Sequence, residues 1–180
     1  MFAFKEKHLP HYTYPDYVLW EGNWELINGV PYAMSPMPSW RHQSLNGNIF
    51  AELKDHLKQC GNCKANIPVD WKISEDTVLQ PDVVVVCKPF EEGIFLSKTP
   101  EIIFEILSPS TASKDQNLKY ELYEKAGVKY YIIVNPNKNT AQVFVLNADI
   151  YKEAGTYTSG KFHFEITGCA FDFDFTGIWE

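Results

Sequence analysis

Two stretches constrain this chain more than any others: Gln80-Pro81-Asp82-Val83-Val84-Val85-Val86, and Pro100-Glu101-Ile102-Ile103-Phe104-Glu105-Ile106-Leu107-Ser108. Runs this rich in Val, Ile and Phe predict two buried strands, the first opened by an aspartate and the second carrying a glutamate inside it. A buried carboxylate left without a partner costs about 3 kcal/mol or more. Glu105 therefore needs compensation, and the candidates are a divalent cation shared with Asp82 and a lysine from elsewhere in the chain.

With 180 residues, 45% of them apolar and 15% aromatic, the chain is sized for one domain, 1–180, with its own core. No apolar run approaches the roughly 20 residues of a membrane span, and residues 1–7 lack the apolar centre of a secretory signal. The expectation is a cytoplasmic protein with no membrane partner. The net charge of −7 and a single arginine, Arg41, leave a monomer poorly equipped to grip a long nucleic acid. A dimer could still assemble a basic groove from lysines.

Cys60-Gly61-Asn62-Cys63 has the spacing of half a zinc site or of a redox pair. No second Cys or His pair lies nearby in the sequence, and the motif follows a helical stretch instead of opening one. Reduced thiols at a turn are the expectation.

Residues 14–21 predict a short helix. Asn28-Gly29 between Trp24-Glu25-Leu26-Ile27 and Val30-Pro31-Tyr32-Ala33-Met34 is a strong hairpin signal. Ser35-Pro36-Met37-Pro38 should break the second strand. Leu45, Ile49, Phe50, Leu53 and Leu57 fall at helical spacing within 39–59, and 63–73 reads as a strand followed by a turn at Asp76-Thr77. A loop over 89–98 joins the two central strands. Beyond Ser108-Pro109-Ser110, Ser113 is the expected N-cap of a helix that ends at Gly127, with Leu118, Leu122 and Ala126 as its apolar stripe. Residues 128–134 form another apolar strand, and 141–146 and 161–166 alternate as antiparallel strands do. The predicted class is α+β, a mixed sheet flanked by helices with an N-terminal hairpin.

On spacing alone Lys119 reads as a surface lysine paired with Asp115 four residues earlier, a contact worth about 0.3–0.5 kcal/mol. It also lies at the edge of the predicted stripe, from which its ammonium could reach back to the sheet. The ordered series Pro81-Asp82, Glu105-Ile106-Leu107-Ser108-Pro109-Ser110, Lys119 with Tyr123, and Gly127-Val128-Lys129-Tyr130-Tyr131-Ile132-Ile133-Val134-Asn135-Pro136 resembles the Uma-two-type family, described as restriction endonucleases within the PD-(D/E)xK nuclease superfamily. Trp24-Glu25-Leu26-Ile27-Asn28-Gly29, Met34-Ser35-Pro36 and His42 resemble its opening pattern. The likeness spans roughly residues 12–146.

That resemblance implies an α/β/α restriction-endonuclease-like core in which Asp82 and Glu105 bind Mg²⁺ (or Mn²⁺) and a lysine assists the attacking water. The usual superfamily lysine stands two residues after the glutamate, where this chain has Leu107. Lys119, on the following helix, is its implied replacement. The metal would neutralise phosphate oxygens and lower the pKa of a bound water, and Lys119 would orient that water or stabilise growing charge. Hard oxygen ligands favour Mg²⁺ or Mn²⁺ over zinc.

Three residues are accessory candidates. Glu25 reads either as an added ligand or as a half-exposed strand acid. His42 reads as a phosphate contact or as a structural residue at a helix start, and Tyr123 as packing and hydrogen bonding behind the site. Asp70, Trp71 and Lys72 read as an ordinary strand face. The resemblance implies a DNA substrate and a homodimer; the alternatives are a nuclease acting on RNA or structured DNA, and a catalytically silent dimeric interaction module on the same fold.

Overall fold

The computed structural model describes residues 10–34, 38–90, 93–108 and 112–180. The predicted breaks at Ser35-Pro36-Met37 and Pro109-Ser110 lie outside them. In chain order the elements are α1 (Tyr14–Tyr17), β1 (Trp24–Ile27), β2 (Val30–Ala33), α2 (Trp40–Leu57), β3 (Cys63–Asn66), β4 (Trp71–Ser74), β5 (Thr77–Leu79), β6 (Val83–Cys87) and β7 (Ile102–Ile106). A π-helical segment (Lys114–Lys119) then runs directly into α3 (Tyr120–Ala126), followed by β8 (Tyr130–Asn135), β9 (Thr140–Asn147), β10 (Ile150–Tyr157), β11 (Lys161–Ile166) and β12 (Cys169–Asp174).

Six strands form the central sheet in the order β10-β9-β8-β7-β6-β3, and β1, β2, β4 and β5 form a second sheet in the order β2-β1-β5-β4. Only β7 and β8 pair in parallel within the central sheet, which makes it mixed, as expected. A parallel pair needs a crossover connection, and the helical stretch that ends in α3 supplies it. The Asn28-Gly29 hairpin forms with both residues at positive φ, 49° and 76°, the geometry a two-residue turn demands.

Strand alternation sorts the central side chains onto two faces. Val83, Val85, Ile102, Phe104, Ile132 and Val134 pack against Leu45, Ile49 and Leu53 of α2 and against the phenylalanines of β11 and β12. Val84, Val86, Ile103, Tyr131 and Ile133 turn the other way, toward Trp71, Tyr123 and Val128. Helices thus cover both faces. Glu105 has the parity of Ile103, so it enters the α3 side of the sheet.

Four expectations need correction. Thr77–Leu79 is a strand, not only a turn, and 63–73 splits into β3 and β4. Ser113 is itself helical, with φ −68° and ψ −37°, and its side chain makes no capping hydrogen bond. The buried stripe of the third helical stretch is Asp115, Lys119 and Tyr123, while Leu118, Leu122 and Ala126 are only partly buried. Both sets recur every four residues, so spacing does not choose between them; the polar set is buried because Lys119 and Tyr123 meet Glu105 of β7. Finally, the cysteines are not free thiols: Cys60 is bonded to Cys169 and Cys63 to Cys87. Cys63 and Cys87 stand directly opposite each other on β3 and β6, a proximity that their 24-residue separation conceals.

Candidate active site

The polar stripe of the π-helical turn and α3 faces Glu105, the buried acid of β7. Lys119 Nζ lies 2.8 Å from Glu105 Oε1, 2.9 Å from Glu25 Oε1 and 3.5 Å from Asp115 Oδ1. Lys119 is 2% exposed, which overturns its reading as a solvated surface lysine. The Tyr123 hydroxyl donates to the same Glu105 oxygen at 2.6 Å, and its ring packs between Trp71 and Tyr131. Trp71 is therefore buried core behind the site, not an ordinary strand face.

Asp82 sits just ahead of β6. Its Oδ2 accepts the backbone N–H of Ile106 at 2.7 Å and lies 3.3 Å from His42 Nε2. That bond ties the aspartate to the residue after Glu105. His42 is in the first turn of α2, where Ser39 caps its backbone N–H, and one turn later Asn46 donates to the Asp82 carbonyl at 3.4 Å. Asp82, Glu105, Lys119, Tyr123 and His42, chosen from the sequence, are brought together; His42 contacts Asp82 and caps nothing itself.

Glu25 is fully buried, against the half-exposed reading. Its Oε1 takes Lys119 and the backbone N–H of Gln80 at 3.0 Å, and its Oε2 takes Lys114. Lys114 and the burial of Asp115 were not read from the sequence. The signal was there: Lys114, Asp115 and Lys119 are charged residues in a stretch that had to cross a buried sheet.

Charge pairing decides the ionisation of these groups. Burial pushes the Glu105 carboxyl well above the usual carboxylate range; Lys119 opposes that, and Asp115, Asp82 and Glu25 reinforce it. Burial alone would depress the Lys119 amine, but Glu105, Glu25 and Asp115 outweigh it and hold the amine well above its ordinary value. Lys119 is therefore an ammonium, a donor and not a base. Burial would also raise Glu25, yet Lys119 and Lys114 bring it below the ordinary carboxylate value. In His42 burial is outweighed by Asp82, which raises the imidazole.

The sequence over residues 14–163 matches the family model Uma2, described as "putative restriction endonuclease". The chain belongs to the Uma2 family. The fold is similar to that in the crystal structure of a "putative nuclease belonging to DUF820" from Anabaena variabilis, with a TM-score of 0.75 over 93% of this chain and 97% of the other. At 16% identity that likeness concerns the fold alone. Compared with curated proteins, the sequence has no match.

Restriction-like nucleases of this kind generally use divalent metals, so the donor set can be tested against one. Among the described residues, no three His, Cys, Asp or Glu side chains converge to hold an ion. Mg²⁺ does not require that, because it commonly binds through one or two carboxylates and keeps waters or substrate phosphate in its other positions. Both described donors to Asp82 fall on Oδ2, and both to Glu105 fall on Oε1. Each carboxylate thus keeps a second oxygen to which no described residue donates. Two hard oxygens, one at the entrance to β6 and one on the neighbouring β7, are the donor type that an ion of the Mg²⁺ class takes.

Proposed function

We propose that this Uma2-family chain is a metal-dependent endonuclease that hydrolyses DNA phosphodiester bonds. Asp82 and Glu105 would hold Mg²⁺ or Mn²⁺, which when bound supplies Lewis-acid neutralisation of phosphate oxygens and a more acidic water. The reading is carried by one observation: the Lys119 ammonium, from a helix, is buried 2.8 Å from Glu105.

The protein's own groups have separable tasks. Lys119 is a fixed donor that orients the nucleophile or stabilises charge growing on the phosphoryl oxygens. Tyr123 holds the Glu105 oxygen that also receives Lys119, leaving the other oxygen to the metal. His42 and the Ile106 N–H hold Asp82 from opposite elements, α2 and β7. Because two strands must be cut, the active form we propose is a homodimer. No helix among the described residues is long and apolar enough to cross a membrane, and a cytoplasmic site of action is part of the same proposal.

The test is cleavage of plasmid, single-stranded DNA and RNA in Mg²⁺, Mn²⁺ or EDTA, beside Asp82→Ala, Glu105→Ala and Lys119→Ala. Metal-dependent cleavage lost in all three folded variants supports the reading; cleavage that survives EDTA or all three substitutions removes it. A second reading, a silent dimeric module, is favoured because no three His, Cys, Asp or Glu side chains among the described residues are placed to hold an ion. It requires that Mn²⁺ titration give no heat that depends on Asp82.

A further inference from the structure

We infer that Glu25 is a positioning residue that fixes the Lys119 ammonium and does not ligate the metal. The inference rests on the nuclease reading above but concerns a residue to which that mechanism gives no task. Glu25 is on β1, whose register is set by the hairpin pair Glu25↔Tyr32 and by Leu26↔Val78 with β5. Its carboxylate already has three donors: Lys119 and the Gln80 N–H on Oε1, and Lys114 on Oε2. An ion binding there would have to displace an ammonium.

Geometry gives Glu25 a different task. A lysine side chain is long and flexible, and Asp115, four residues back on Lys119's own helical stretch, lies farther from its tip at 3.5 Å, so Glu105 alone would fix the tip less closely. Glu105 at 2.8 Å and Glu25 at 2.9 Å, from two different sheets, fix the tip between them. Gln80 stands two residues before Asp82, so its N–H bond to Glu25 ties the acid that holds the amine to the segment that carries the first metal ligand. Lys114 balances the second oxygen of Glu25 without pulling Lys119 away.

The test uses purified full-length protein, with Glu25→Gln, Glu25→Asp and Lys114→Met. Misplacing a reacting group by about 1 Å costs on the order of 10²-fold, so Glu25→Gln should lose about that much in kcat while KM and Mn²⁺ affinity stay within a few-fold. Independently of activity, acylation by an N-hydroxysuccinimide ester, read by peptide mass spectrometry, should find Lys119 protected in the parent and in Lys114→Met but labelled in folded Glu25→Gln. Glu25→Asp retracts the charge by one methylene and should show intermediate labelling, which carries the test if the glutamine variant unfolds. Loss of Mn²⁺ affinity in Glu25→Gln as large as in Asp82→Asn would make Glu25 a ligand and overturn the inference. So would Lys119 remaining protected in both folded Glu25 variants. A parent protein that cuts nothing refutes the nuclease reading and leaves the labelling result to decide the role of Glu25.

Discussion

The Lys119 ammonium reaches Glu105 across 2.8 Å from the helix that follows its strand, fourteen residues later in the chain. The position two residues after Glu105, just past the end of β7, is apolar Leu107, partly buried among the core residues on the α3 side of the sheet. The amine arrives from above the sheet, and its burial among three acids makes it a structural group as well as the proposed donor.

Lys119→Met should therefore do two things. It removes the donor of the proposed mechanism, for an expected loss of at least about 10²-fold in cleavage rate. It also leaves Glu105, Glu25 and Asp115 without their shared cation, which should cost about 3–5 kcal/mol in urea unfolding. Lys119→Met combined with Glu105→Gln should cost less than the sum of the single changes, because the orphaned acid is then neutral. Additive costs would show that the pair is not coupled.

Asp82→Asn can keep the hydrogen bond from Ile106, since an amide oxygen accepts as a carboxylate oxygen does. Its unfolding midpoint should change little, while Mn²⁺ binding heat in calorimetry should disappear. Retained heat would exclude Asp82 as a ligand.

Acid should weaken the fold partly through Glu25. Its pKa is lower in the folded state than the ordinary 4.5, so the stability it contributes is present above that pH and is lost as pH falls through the folded value. In metal-free urea titrations from pH 7 to pH 3, the parent's advantage over Glu25→Gln should shrink on acidification. A constant difference would mean that Glu25 does not titrate with folding.

Two disulfides, Cys60–Cys169 and Cys63–Cys87, tie the end of α2 to β12 and β3 to β6. Protein purified without reductant should have an intact mass lower than the fully reduced chain by four hydrogens. Reduction should lower unfolding stability by about 2–4 kcal/mol per bridge, more for the pair 109 residues apart than for the pair 24 apart. Cytosolic thiol buffers oppose such pairing, so the mass of protein taken directly from cells also reports on the compartment.

Gly29 has φ +76°, and a Cβ there would fall 2.3 Å from the His11 ring. Gly29→Ala should destabilise by about 1–3 kcal/mol, and because the hairpin sets the register of β1, it should also expose Lys119 to acylation. An unchanged melting temperature would count against this.

The sequence was most readable where local chemistry and tertiary context agree. Asn28-Gly29 specifies its own turn, Gly127 ends α3 at φ 81°, and the apolar runs of β6, β7 and β8 have no alternative to burial. It misled where charged residues occupy a buried face. Asp115, Lys119 and Tyr123 recur every four residues and share one helical face, but two of the three are charged, so the neighbouring apolar stripe reads as the buried one and Lys119 as a surface residue. The charges at Lys114 and Asp115 hint at a buried polar cluster, but that Lys114 meets Glu25, like the pairing of Cys169 with Cys60, joins segments far apart in sequence that only assembly of the sheets makes neighbours.

The stations around Lys119 have a consequence for how this protein matures. Its anchors come from an early hairpin, a middle strand and the helical crossover behind it. A nascent chain released before that crossover docks has carboxylates but no ammonium among them, so the charge cluster closes only when assembly is finished.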